Sequence, residues 1–139
     1  MAISGTPFER LFVGGLRDAE RLASANPLQI ATVINLSLEQ SMRKRKEIYY
    51  EHIPIPDDQV VPAPKLDEAL MAIARHIRGG RVLVHCAAGM SRSVGVAGLY
   101  MHVVGYTTFE AALRTIAQQR EVDLSPAMKR SVRNYPEAI

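Results

Sequence analysis

Residues 81 to 104 read RVLVHCAAGMSRSVGVAGLYMHVV, and the centre of that stretch is HCAAGMSRS, His85 to Ser93. The apolar, β-branched run Arg81 to Val84 has the composition of a buried strand and leads into His85 and Cys86. A short loop of small residues follows, and then the apolar helical run Val94 to Val104. The pattern is strand, tight loop, helix.

Such a junction makes an anion site. The backbone N–H groups of the loop and the unsatisfied N–H groups of the first helical turn can converge on one oxyanion. Ala87, Ala88 and Gly89 are small enough for the backbone to close around a phosphate-sized group, and Gly89 can take a positive φ. The N–H groups from Ala87 through Gly89, Met90 and Ser91 to Arg92 are the candidate cradle. Arg92, at the expected helix start, adds a planar fork of donors that fits two phosphate oxygens at once. Cys86 lies at the base of this array, where the helix N-terminus, the N–H groups and Arg92 all favour thiolate over thiol. A thiolate beneath a bound phosphate is a nucleophile aimed at phosphorus, and Ser93 is placed to donate a hydrogen bond to the sulfur when it departs. A lone cysteine at the end of a core strand is ordinarily an inert buried side chain. Cysteine, glycine, arginine and hydroxyl at this spacing, between strand and helix, reverse that reading.

HCAAGMSRS resembles the active-site signature of the cysteine-dependent protein tyrosine phosphatase superfamily, and its Ala-Gly-x-Ser-Arg-Ser wording is most similar to the dual-specificity branch. The resemblance implies a phosphocysteine mechanism with Cys86 as nucleophile, Arg92 as phosphate clamp and Ser93 as leaving-group assistant. It also implies that His85 holds the loop and tunes the thiolate without touching substrate. The likeness extends, in order along the chain, to Leu-Phe-Val-Gly-Gly (11–15), Val-Ile-Asn-Leu-Ser (33–37), Ile-Pro-Ile-Pro-Asp-Asp (53–58) and the helices after the signature. It implies phosphorylated protein substrates; no segment resembles the aromatic substrate-recognition loop of tyrosine-only relatives, so a shallow cleft that admits phosphotyrosine together with phosphoserine and phosphothreonine is expected. Alternatives on the same fold are a phosphoinositide or RNA 5′-phosphatase, and a module that binds phosphorylated partners without turnover. A rhodanese-like sulfurtransferase is a further rival that also sets a cysteine loop before a helix.

Breaking a phosphate ester requires a proton on the leaving oxygen, so a carboxylic acid should enter from another loop. Asp57 and Asp58, after the proline-stiffened Pro54 to Pro56 segment, are the candidates; the resemblance places the family's general acid at Asp57. No cofactor or metal is called for, because Arg92 and the loop supply the charge stabilisation. His52, His76 and His102 are not clustered at metal-ligand spacing.

Outward from the signature, the chain reads as one α/β domain over residues 1–139, with a central, largely parallel sheet flanked by helices, protein-tyrosine-phosphatase-like. Strands are expected at Leu11 to Val13, Ile30 to Leu36 and Ile48 to Ile55, the first ending at a Gly14-Gly15 turn. Helices are expected at Asp18 to Ala25, at Lys65 to Ile77 with Gly79-Gly80 closing it, and from a Thr107/Glu110 capping box onward with Phe109, Leu113 and Ile116 inward. Gly105 should stop the signature helix, and Ser125-Pro126 should open a last helix through Met128, Val132 and Tyr135. Ligands of such sheets sit beyond the carboxyl ends of the strands, where the signature loop falls. The loops Glu39 to Lys46 and Asp58 to Pro64 are the expected cleft walls.

The 139 residues are 47% apolar and 22% charged, which suits a folded domain with one sizeable core. One cysteine excludes an internal disulfide and suits a reducing compartment. The first residues lack a signal-peptide core and no run is long enough to span a bilayer, so a cytoplasmic location is expected. The net charge is +3, with Arg43, Lys44, Arg45 and Lys46 in one block. No aromatic side chain interleaves with that block, and nucleic acid is not an expected partner.

Overall fold

In a computed structural model, which describes residues 2–136, the central strand is the one that carries the signature. The elements in chain order are β1 (Ser4–Gly5), β2 (Leu11–Gly14), α1 (Leu16–Arg21), β3 (Ile30–Asn35), β4 (Tyr49–His52), α2 (Ala63–Ile77), β5 (Arg81–His85), α3 (Arg92–Val103), α4 (Phe109–Ala117) and α5 (Pro126–Asn134). The sheet order is β1-β2-β5-β3-β4. β5 pairs in parallel with both β2 and β3, and β4 is parallel to β3; only β1 is antiparallel. A strand paired on both edges and covered on both faces must be apolar throughout, and Val82, Leu83 and Val84 are completely buried.

Alternation along β5 divides the core. Val82 and Val84 join the larger cluster, where α2 to α5 pack on one face of the sheet, and Leu83 joins the smaller one with Ala19, Leu22, Ile30, Val33 and Ile48 under α1 on the other. α3 is buried at every residue from Arg92 to Met101, so it is the inner helix, enclosed by the sheet and by α2, α4 and α5. Two glycines permit that enclosure: a Cβ on Gly95 would stand 2.7 Å from Met128 Cγ, and one on Gly98 2.8 Å from Leu113 Cδ1. Gly105, at φ 75°, ends α3 as expected, with the Tyr106 N–H returning to the Met101 carbonyl and the Gly105 N–H to that of His102.

Several boundaries differ from the sequence reading, each for a local reason. α1 begins at Leu16, not Asp18; Asp18 sits in the first turn and caps it, its Oδ2 accepting the Gly15 N–H at 2.8 Å. α2 begins at Ala63 and ends without a left-handed glycine, since Arg78 is its right-handed cap; Gly80 instead allows close approach to Ala31. The cap of α4 is Thr108, whose Oγ1 accepts the Ala111 N–H at 3.1 Å, so the Thr107/Glu110 box does not form. β4 stops at His52, yet Ile53 and Ile55 still donate to the Asn35 and Leu36 carbonyls at 2.9 Å. Pro54 and Pro56 lack the N–H groups that would continue the ladder. β1, two residues long, carried no alternation to reveal it.

Candidate active site

β5 ends at His85, and the chain then turns through Cys86 to Ser91 before Arg92 opens α3. The turn is pinned from outside by main-chain bonds: Cys86 donates to the Gly14 carbonyl at 3.3 Å, Leu16 donates to the Ala87 carbonyl at 2.9 Å, and Leu36 to that of His85 at 2.8 Å. The Cys86 N–H is thus held by β2, and the Ala87 and His85 carbonyls by the start of α1 and the residue after β3. On the inner side the Gly89 N–H points at the Cys86 sulfur at 3.3 Å. Gly89 takes φ 75°, the left-handed conformation expected of it.

Cys86 is 2% exposed, at the base of a cleft lined by Ala87, Ala88, Met90, Ser91 and Arg92. Ser93 Oγ is 3.3 Å from its sulfur and 3.4 Å from the Gly14 carbonyl, so one hydroxyl proton can serve either. Arg92 is 6% exposed, and its Nη1 donates to the Ile55 carbonyl at 2.9 Å. That acceptor is rigid, because Ile55 lies between two prolines and is itself bonded to Leu36.

The same segment delivers the carboxylates. Asp57 and Asp58 both line the cleft; Asp57 Oδ1 lies 3.7 Å from Arg92 Nε and accepts the Asp58 N–H at 3.1 Å. Asp58 has φ 56°, a left-handed turn that a short polar side chain tolerates, and that turn folds the chain so that Asp57 faces the arginine.

His85 stands apart from the cleft. It is 3% exposed, and its Nδ1–H donates to the Cys86 carbonyl at 3.2 Å. Burial pushes its pKa below the ordinary histidine value, against the opposing pulls of the Cys86 carbonyl and of Asp18 and Glu20, so the imidazole holds the loop as a neutral donor. It lines a separate hollow with His52, Asn35 and Glu20.

Of the residues singled out in the sequence, the fold therefore brings Cys86, Arg92, Asp57 and Asp58 to one cleft, with Ser93 against the sulfur and Gly89 contributing its N–H. Two features were not anticipated. The Glu39 to Lys46 loop does not line this cleft: Ser41 Oγ donates to Glu20 and Arg45 Nη1 to the Leu22 carbonyl, which ties it to α1 and the region just after it. The opposite wall is Asp123, Leu124, Ser125 and Pro126, latched to the loop by the Asp123 N–H on the Met90 carbonyl (3.1 Å) and the Ser125 N–H on Ser91 Oγ (3.0 Å). The second feature is a buried ion pair behind the loop. Arg120 Nη2 lies 3.3 Å from Asp18 Oδ2, and its Nη1 donates to the Val13 carbonyl at 3.3 Å. A Cβ on Gly89 would stand 2.6 Å from that guanidinium, so Arg120 props the loop from below. Nothing in the local pattern marked Arg120 as interior.

A family model described as the dual specificity phosphatase catalytic domain matches residues 11–137. The chain belongs to that family. It is therefore a dual-specificity phosphatase catalytic domain, an α/β unit with a five-stranded, mostly parallel sheet flanked by helices. Dual specificity protein phosphatase 18 of Rattus norvegicus is 37% identical over 93 residues, which is 63% of this chain and 43% of that protein. Dual specificity protein phosphatase 2 of Mus musculus is 28% identical over 118 residues, 84% of this chain and 37% of that one. The chain thus spans less than half the length of these relatives. Among solved structures, a variant of human DUSP28 superposes with a TM-score of 0.82 at 24% identity, covering 99% of this chain and 96% of that one. DUSP15 gives 0.80 at 25% identity, with 94% and 84% covered.

Proposed function

We propose that this domain hydrolyses phosphate monoesters of phosphotyrosine, phosphoserine and phosphothreonine in proteins through a phosphocysteine intermediate. The observation that carries the proposal is the convergence on Cys86: a buried sulfur with the Gly89 N–H and Ser93 Oγ each at 3.3 Å, beneath a cleft that Arg92 and Asp57 share.

In the first step the Cys86 thiolate attacks phosphorus in line as the ester P–O bond breaks. Arg92 and the loop N–H groups hold the three equatorial oxygens, and Asp57 gives its proton to the departing oxygen. In the second, water attacks the phosphocysteine, ionised Asp57 takes the water's proton, and the sulfur leaves with the Ser93 hydroxyl turned from the Gly14 carbonyl toward it. His85 keeps the loop in register from behind. The cleft walls are short segments, Asp57-Asp58 and Asp123 to Pro126, which supports access by both short and long phosphorylated side chains. A reducing, cytoplasmic location is part of this proposal, because a reactive thiolate is lost to oxidation elsewhere.

The test is kcat/KM on matched phosphotyrosine and phosphothreonine peptides, with chelator and reductant present and Cys86→Ser as control. Turnover of both, abolished in Cys86→Ser, with phosphate trapped on Cys86 of the unaltered protein by rapid denaturing quench, is the expected result. Turnover of phosphotyrosine alone would overturn the dual range. Turnover of phosphoinositide or RNA 5′-phosphate with neither peptide cleaved would overturn the protein substrate.

A further inference from the structure

The chain carries a net charge of +3, which suggests an acidic partner, yet the cleft does not share that sign. Among the described residues, the charged side chains that line it are Arg92 and three carboxylates, Asp57, Asp58 and Asp123. Arg92 is buried, and the three aspartates are exposed. The basic block Arg43 to Lys46 lies elsewhere, and neither Lys129 nor Arg130 lines the cleft.

Three carboxylates at the mouth of a site for a phosphate dianion are repulsive unless something compensates them. Asp57 has a use there as a proton donor. Asp123 has none in the reaction, and its carboxylate forms no hydrogen bond or ion pair with the described residues. Its place is nevertheless fixed. Its own N–H is bonded to Met90 at 3.1 Å, and Ser125, two residues on, is bonded to Ser91, so the carboxylate rides on a segment latched to the phosphate-binding loop. An unpartnered carboxylate held beside the loop, in the cleft that Asp58 also lines, complements a cation that arrives with the substrate.

We infer that Asp123, with Asp58, makes the domain selective for phosphorylated residues flanked by lysine or arginine. The inference rests on the phosphatase reading above and names the class of phosphoprotein it serves. The substrate phosphate binds over Arg92 and the loop, and the flanking cation lies against the Asp123 rim. Ala87 and Ala88 also line a second hollow, where three arginines, Arg17, Arg21 and Arg120, outnumber the one buried carboxylate of Asp18. The preference therefore belongs to one flank of the phosphorylated residue and not to both.

The experiment measures kcat/KM at low ionic strength on four phosphotyrosine peptides of neutral background, with Arg or Glu placed immediately before or immediately after the phosphotyrosine. At one flank Arg is expected to exceed Glu by about fivefold, the upper range for one exposed ion pair. The ratio should shrink as salt shortens the screening length. Asp123→Asn should bring the ratio at that flank toward one, and Asp123→Lys should invert it. Because the readout is a ratio within each variant, a general loss of activity does not mimic it. Equal turnover of all four peptides, Glu preferred at both flanks, or an Arg preference untouched in Asp123→Asn would overturn the role of Asp123. No turnover of any peptide by the unaltered protein would overturn the phosphatase reading itself, and the inference with it.

Discussion

Arg92 Nε stands 3.7 Å from Asp57 Oδ1 while its Nη1 donates to the Ile55 carbonyl at 2.9 Å, so one guanidinium is shared between the acid and the chain that carries it. The proposed phosphate clamp and proton donor are thereby set in register by a single proline-bounded segment. The pair contributes little to stability, because Asp57 is 57% exposed. Its consequence is positional.

Removing the acid should therefore slow the chemistry without unfolding the protein. Asp57→Ala is expected to lose roughly 10² to 10⁴ in kcat on phosphopeptides. Asp58→Ala, which removes the carboxylate and leaves a β-carbon in the same left-handed turn, should lose far less in kcat. Steady-state kinetics on both variants decide the assignment; a full-rate Asp57→Ala beside a crippled Asp58→Ala would exchange the two roles.

Gly89 is the residue least able to change. At φ 75° a side chain is strained, and its Cβ would meet the backbone of Gly14 at 2.7 Å as well as the Arg120 guanidinium at 2.6 Å. Gly89→Ala is expected to destabilise the fold by about 1–3 kcal/mol and to withdraw the N–H from the Cys86 sulfur. Urea unfolding reads the first effect. Loss of iodoacetate reactivity at pH 7 reads the second.

The Asp18–Arg120 pair is buried on both sides, each partner 5% exposed. Asp18→Ala leaves a guanidinium in the interior without its counter-ion and should cost about 3–5 kcal/mol. The double variant Asp18→Leu with Arg120→Met should be less destabilised than the sum of the two single changes, because it removes both charges together. A denaturation cycle over the four proteins measures that coupling.

His85 predicts the acid limb of stability. Its folded pKa lies below the ordinary value near 6.5, so as pH falls below about 6.5 the unfolded chain takes up a proton that the folded one resists. Stability should decline from that point downward and be free of this penalty above it. The groups facing it are Asp18 and Glu20 of α1 and His52 of β4, and Asp18 and Glu20 soften the penalty without reversing it. His85→Asn, which retains a donor for the Cys86 carbonyl, should flatten the slope between pH 6.5 and 5 in urea midpoints. An unchanged slope would place the acid sensitivity in other groups.

The strand, the loop and the buried helix of residues 81 to 104 were legible from the chain alone, and so was the gathering of Cys86, Arg92 and Ser93 at one loop. Their spacing is local: a strand end, a glycine turn and a helix N-terminus lie within one short stretch, and local sterics suffice to shape it. The parallel sheet was legible too, because a strand buried on both faces has no polar alternation. Cap positions such as Thr108 over Thr107 differed by one residue because neighbouring hydroxyls offer the same hydrogen bond, and packing of the helix chooses between them.

What only the tertiary structure decided were the contacts that join distant segments. Asp57 reaches Arg92 because Ile55 bonds to both Leu36 and Arg92, a three-segment relation with no trace in spacing. Arg120 lies in a polar stretch that reads as surface, and it is interior only because Asp18 and the Val13 carbonyl meet it there. Asp123 became a cleft wall through a backbone bond to Met90, an interaction that leaves no side-chain signature. A sequence states which groups can do chemistry; which charges surround them depends on how the chain closes, and here it sets buried Arg92 among three exposed aspartates.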